Sequence, residues 1–217
     1  MATKQRGRPR SFDRETALEK AMRAFWENGY EGTSVSELTR EMGIGAPSLY
    51  AAFGDKRSLF EEVVRVYGTT HGAGPGRALA EEPTAHAAVE RLLREAADEF
   101  TAPGHPHGCL VIHAATNCTT PEVEQALRDQ RGASLAAIED RLRQGVAAGE
   151  LPEATDTAAL ARYVGAVFQG MSQQSRDGAT KADLEAIAAL AMAAWPVSEP
   201  ARRGVGTGAG RNVGTGA

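Results

Sequence analysis

The side chains best suited to chemistry gather in one short stretch. His105-x-His107-x-Cys109, with His113 four residues further on, offers imidazoles and a thiol. Such groups could ligate a borderline-soft metal, present a low-pKa thiolate to oxidants or electrophiles, or pair as a cysteine–histidine nucleophile. The spacing matches no standard zinc pattern, and a nucleophile would need an oxyanion hole and an orienting group that the sequence does not reveal. The expectation is therefore no metal, no cofactor and no catalytic residue. Two alternatives stay open: a cysteine-based redox or electrophile sensor, and a helical enzyme using Cys109. On a helix, Cys109, His113 and Asn117 fall at i, i+4 and i+8 and so share a face, with Thr116 beside them. A polar stripe of this kind needs partners, which either the core or a bound ligand supplies. Phe100, Tyr163, Phe168 and Met171 are candidate apolar walls for such a ligand.

A second set of residues speaks to polyanions. The net charge is −4, but residues 1–10 hold Lys4, Arg6, Arg8 and Arg10 and no acid. Residues 1–60 carry ten Lys/Arg against eight Asp/Glu, which leaves the excess of acid in the rest of the chain. An acidic body with a basic arm suits a protein that touches nucleic acid at one end. Arg6, Arg8 and Arg10, set among Gly7 and Pro9, suit a narrow minor groove or the phosphates beside it.

The elements that must position these groups are helices. Leu18, Ala21, Met22 and Phe25 recur at helical spacing behind Asp13, a ready N-cap, and Asn28-Gly29 closes the run. Ser34 and Glu37 have capping-box spacing ahead of Leu38 and Met42. Gly43-Ile44-Gly45 breaks the pattern, and Pro47 suits the first turn of a new helix over 46–53. Two short helices joined by a glycine turn make a helix-turn-helix. Its second helix presents Ala46, Ser48, Ala51 and Ala52, small enough to enter a major groove, while Leu49 and Phe53 face the core. Tyr50 is placed to reach a phosphate, and Lys56 opens the next helix, where its charge adds to the positive dipole end. Residues 68–82, rich in Gly and Pro, read as a loop. Further helical faces follow around Val89–Phe100, Cys109–Cys118, a long run from Pro121, and two broad apolar faces near 156–175 and 181–195. Strand alternation is absent. The Gly-rich end, with VGTGA twice, reads as a disordered tail. No stretch of the 217 residues is a membrane span or secretory signal, and two cysteines suit a reducing cytoplasm.

The stretch Gly29-Tyr30…Thr33-Ser34…Leu38, Met42-Gly43-Ile44, Ser48-Leu49-Tyr50-Ala-Ala-Phe53 and Lys56…Leu59-Phe60 resembles the TetR (tetracycline-repressor-like) family of bacterial regulators. The resemblance covers about residues 12–62. It implies that Thr33 and Ser34 contact phosphates, that Ala46, Pro47, Ser48 and Ala51 face bases or backbone in the groove, and that Tyr50 and Lys56 hold phosphates. It also implies a regulatory pocket inside the helical body, where Phe100, Cys109, His113, Thr116, Asn117, Tyr163, Phe168 and Met171 would line it, and a homodimer through the last two helices. The recognition helix departs from the family pattern at Gly45, Ala46, Ala51 and Ala52, which are poor in hydrogen-bonding side chains, so readout leans on Ser48, thymine methyls, DNA shape and the arm.

The expected architecture is all-α: a basic arm over 1–11, a three-helix helix-turn-helix domain over 12–55, an antiparallel helical bundle for ligand sensing and dimerisation over 56–195, and a tail over 196–217, with about nine helices. The expected activity is a ligand-responsive, sequence-specific regulator, a repressor released from double-stranded operator DNA by a small-molecule effector, with no enzymatic or membrane role.

Overall fold

The computed structural model describes residues 12–196; the basic arm with Arg6, Arg8 and Arg10, and the tail beyond 196, lie outside the described residues. Ten α-helices and one 3-10 turn account for the described chain. Asp13 starts α1 (Arg14–Gly32) by accepting from the backbone N–H of Glu15 and Thr16 at 2.9 and 3.3 Å. The backbone leaves helical angles at Gly29 (φ 73°), where the sequence places the end of the run. Ser34 caps α2 (Val35–Met42) through the Glu37 N–H, while the Glu37 carboxylate turns instead to Asn28, so only half of the expected capping box forms. Gly43 closes α2 at φ 69°, a left-handed conformation that costs a β-carbon but not glycine, and this allows the sharp turn into α3 (Ala46–Phe53). Asp55 caps α4 (Lys56–Thr69).

Residues 68–82 are not a loop. The chain passes through a 3-10 turn (His71–Ala73) into α5 (Gly74–Glu81). Pro75 sits at the first turn, where its missing N–H is no loss, and Ala78 is fully buried. Glycine and proline here mark a helix start, and α5 is the helix beyond the nine expected. The body continues with α6 (Ala85–Phe100), α7 (Leu110–Ala114), α8 (Pro121–Ala147), α9 (Thr157–Arg176) and α10 (Lys181–Ala193). The helix expected over 109–118 is only five residues long. Cys109 is its N-cap, and Asn117, at φ 60°, lies outside it.

One hydrophobic core runs from the headpiece into the body. Helix α1 packs on α2 and α4 within the headpiece and on α7 of the body. Phe25, Tyr30 and Phe60 form an aromatic cluster with centroids 5.0–6.2 Å apart. Arg14 fastens the start of α1 to α4 through a bidentate pair with Glu62 at 2.6 and 2.7 Å, its guanidinium 4.5 Å from the Phe53 ring. Among the described residues no helix is long and apolar enough to cross a membrane.

Candidate DNA-binding face and effector cavity

Helix α3 is anchored from beneath and open above. Leu49 and Phe53 are buried, Ala46 and Ser48 are half-buried, and Pro47, Tyr50 and Ala51 face solvent. Tyr50 is 51% exposed, one of the few large hydrophobic side chains that face solvent among the described residues. Ser34 is exposed at the N-terminus of α2, where the helix dipole favours an anion. The Lys56 ammonium sits 4.2 Å from the centre of the Tyr30 ring. Desolvation holds its pKa below the usual lysine value, countered in part by Glu31. The ring fixes the charge at the edge of the α3 face.

Thr33 departs from expectation. It is fully buried, and its hydroxyl donates to the Gly29 carbonyl at 2.7 Å, with the Ala24 carbonyl at 3.3 Å. A hydroxyl committed in this way does not reach a phosphate. It ties off the carbonyls left free where α1 ends, and so positions Ser34 and α2.

The body holds a cavity of about 630 Å³ between α4, α5, α6, α7, α8 and α9. Phe100, Phe168 and Cys109 line it, as expected. The other five expected lining residues lie elsewhere. His113 is half-buried beside Arg176 and the Glu27 carbonyl, and desolvation lowers its pKa. Thr116 and Asn117 are exposed because α7 has already ended. Tyr163 points outward, 41% exposed, and Met171 is buried in the core away from the cavity. On α9 the cavity face is Gly165, Phe168 and Gln169.

Tyr67, His71, Glu99 and Arg131 also line the cavity, and sequence reasoning missed them. Asp98 and Glu99 at the C-terminal end of α6 carried a signal: acids there oppose the helix dipole, so they need another purpose. The Nη1 of Arg131 and the Oε2 of Glu95 are both buried without a hydrogen-bond partner among the described residues, an unspent donor and an unspent acceptor on the cavity wall. Burial raises the Cys109 thiol pKa and carries the Tyr67 phenol well above its ordinary range. A low-pKa thiolate is thus not what this position provides.

Three links tie headpiece to body. The Trp26 indole N–H of α1 donates to the Gly108 carbonyl at 3.2 Å. Gly108 has φ 78°, and a β-carbon there would meet the Ser172 carbonyl at 2.7 Å, so the loop comes this close only as glycine. Arg176 at the end of α9 donates to the Trp26, Glu27 and His107 carbonyls. Glu31 accepts from the backbone N–H and hydroxyl of both Thr119 and Thr120 at 2.8–3.2 Å, which lowers its pKa to about 2, the Thr120 hydroxyl being the largest cause.

Comparison with known proteins agrees with this geometry. Residues 17–63 match the family described as bacterial regulatory proteins, tetR family, and residues 85–191 match the tetracyclin repressor-like C-terminal domain. The chain is 35% identical over 199 residues to the HTH-type transcriptional repressor ComR of Escherichia coli (strain K12), covering 89% of this chain and 93% of that protein. It is 30% identical over 185 residues to the HTH-type transcriptional repressor BdcR of the same organism, covering 85% and 90%. Among solved structures it is similar to a cysteine mutant of the TetR family transcriptional regulator CifR complexed with 26-bp double-strand operator DNA. There the TM-score is 0.84 at 43% identity, covering 88% of this chain and all of that one.

Proposed function

The chain belongs to the tetR family of bacterial regulatory proteins, and from that premise we propose that it is a cytoplasmic homodimeric repressor whose hold on operator DNA is set by a small molecule in the α4–α9 cavity. The observation that carries this reading is one helix serving both sites. Lys56 begins α4 at the DNA face, and Tyr67, Gly68 and Thr70 at its far end line the cavity. A ligand that favours one placement of α4 therefore favours one placement of α3, and that differential affinity is the switch.

Binding rather than turnover is its work. Ser34, Tyr50, Lys56 and the arm residues Arg6, Arg8 and Arg10 hold phosphates, while Ala46, Pro47, Ser48 and Ala51 meet the major groove. One short recognition helix reads few bases, so two copies share a near-palindromic site. The dimer forms through α9 and α10, whose outer faces carry exposed Tyr163 and Leu190 among Ala159, Ala166, Ala186 and Ala189. The effector has a largely apolar body, matching the walls, and an acceptor group for Arg131.

The test is a gel shift with the DNA immediately upstream of the protein's own gene at two salt concentrations. A sequence-selective dimer complex that weakens steeply with salt is expected. Binding of equal strength to unrelated duplexes would sink the reading.

A further inference from the structure

We propose that His71, Glu99 and His105 form a binding site for a divalent first-row transition-metal ion, and that the ion acts on the DNA-binding headpiece through Trp26, the second part resting on the reading of the chain as an operator-binding regulator. The three residues come from three separate segments: the 3-10 turn after α4, the last turn of α6, and the loop between α6 and α7. Their ligand atoms all lie within 4.8 Å of one another. The His71 Nδ1 is 2.8 Å and the His105 Nε2 is 3.2 Å from the same Glu99 Oε1. Bonds of about 2.0–2.1 Å around a tetrahedral ion put ligand atoms roughly 3.4 Å apart. The two distances to Glu99 lie just inside that spacing, and the whole set lies within 4.8 Å, the range from which side-chain adjustment gathers ligands around one ion.

The hydrogen bonding around the cluster prepares it for a cation. The His105 Nδ1 lies 2.9 Å from the Pro106 carbonyl, which only accepts, so Nδ1 carries the ring proton. In the neutral ring the Nε2 lone pair then faces a carboxylate oxygen, and two acceptors opposed in this way call for a positive charge between them. A ligating imidazole is usually held in this manner, its far N–H given to a carbonyl. The rings are also fixed. Trp26 stacks on His105 at 4.6 Å and 17°, and meets His71 edge-on at 5.2 Å.

Two imidazoles and one carboxylate favour zinc-like ions over magnesium or calcium, which prefer all-oxygen shells. Glu99 and His71 line the cavity, so the fourth position opens toward the effector space. Of the His105-x-His107-x-Cys109 group, only His105 takes part: His107 is turned to the Ser175 carbonyl. Trp26 belongs to α1, is buried, and touches both imidazoles, stacked on His105 and edge-on to His71, so a shift of either ring is felt in the headpiece.

The experiment uses the full chain, without a histidine tag and stripped by chelator. Titration with Co²⁺ is expected to give one ion per chain, with a visible d–d band that Zn²⁺ bleaches. Glu99→Gln and His71→Gln are each expected to weaken Zn²⁺ binding by about tenfold or more. His86→Ala, beside Trp195 on another part of the body, retains it. Thermal melts report whether each variant is folded, and Glu99→Gln, which keeps the side-chain shape, carries the test if His71→Gln does not fold. Wild type that takes up Co²⁺ no better than Glu99→Gln overturns the site and leaves a hydrogen-bonded His–Glu–His cluster. For the second part, fluorescence anisotropy is read on a duplex selected with the ion-free protein. Saturating Zn²⁺ is expected to change the operator Kd about fivefold or more in wild type and not in Glu99→Gln. A Kd unmoved by the ion overturns the coupling. If the ion-free protein selects no duplex, the operator-binding reading and the coupling fall together, while the cobalt band still decides the site.

Discussion

Lys56 at the DNA face and Thr33, buried next to Ser34, separate contact from support. Lys56 is half-exposed, and its charge is propped over Tyr30, with Glu31 close enough to act on it electrostatically. Lys56→Ala is expected to lower operator affinity at every sequence and to reduce the slope of log K against log salt by about one, the signature of one lost phosphate contact. A slope unchanged by the substitution would remove Lys56 from the phosphate-binding set. Thr33→Val makes the opposite pattern. Its hydroxyl is buried against the Gly29 and Ala24 carbonyls, so the loss is about 1–3 kcal/mol of stability, read as a lower Tm. Folded Thr33→Val keeps the wild-type salt slope, because no phosphate contact goes with it.

The elements show which parts of the sequence were legible. The headpiece was, because its boundaries are set by local devices: Asp13 and Ser34 as caps, and Gly43 as the turn. Helix α5 was not, because glycine and proline at a helix start look like loop residues until Ala78 is seen to be buried. Three cavity residues were legible: Phe100 and Phe168 as apolar walls, and Cys109 as the first member of the polar stripe. Thr116 and Asn117 failed together, since a shared face exists only while the helix continues and α7 ends at Ala114, whereas His113, still inside α7, faces Arg176 and the Glu27 carbonyl rather than the cavity. Glu31, Thr119 and Thr120 are joined only in space, and no local pattern announces them. Their link makes a prediction about pH. The folded-state pKa of Glu31 is depressed, so its contribution is full above the ordinary value of 4.5 and is lost as pH falls toward about 2. The carboxylate is exposed, so solvent screens the size of the effect. In Glu31→Gln the contribution is absent at all pH values. The Tm gap between wild type and Glu31→Gln is therefore expected to narrow between pH 4.5 and 2. A gap that stays constant through that window would show that the charge of Glu31 does not hold α1 to the α7–α8 loop.

At the scale of the whole molecule, regulation requires two copies held at a fixed spacing, and the surface of α10 carries the cost of that requirement. Leu190 is 74% exposed in the single chain, so replacing it leaves the packing of the subunit unchanged. In a two-fold interface each substitution acts twice. Leu190→Glu removes two buried leucines, each worth about 1.5–3 kcal/mol of burial, and places two like charges where water is excluded. The expected result is a folded monomer, seen by light scattering, whose Tm lies below that of the wild-type dimer and does not rise with protein concentration. Operator affinity should fall to the non-specific level, because each monomer reads one half-site without its partner. Should Leu190→Glu remain dimeric, the interface lies off α10. Should it become monomeric and still select the operator, the spacing of two recognition helices would not be what an effector controls, and the lever from the cavity through α4 would have to act on the orientation of α3 within one subunit.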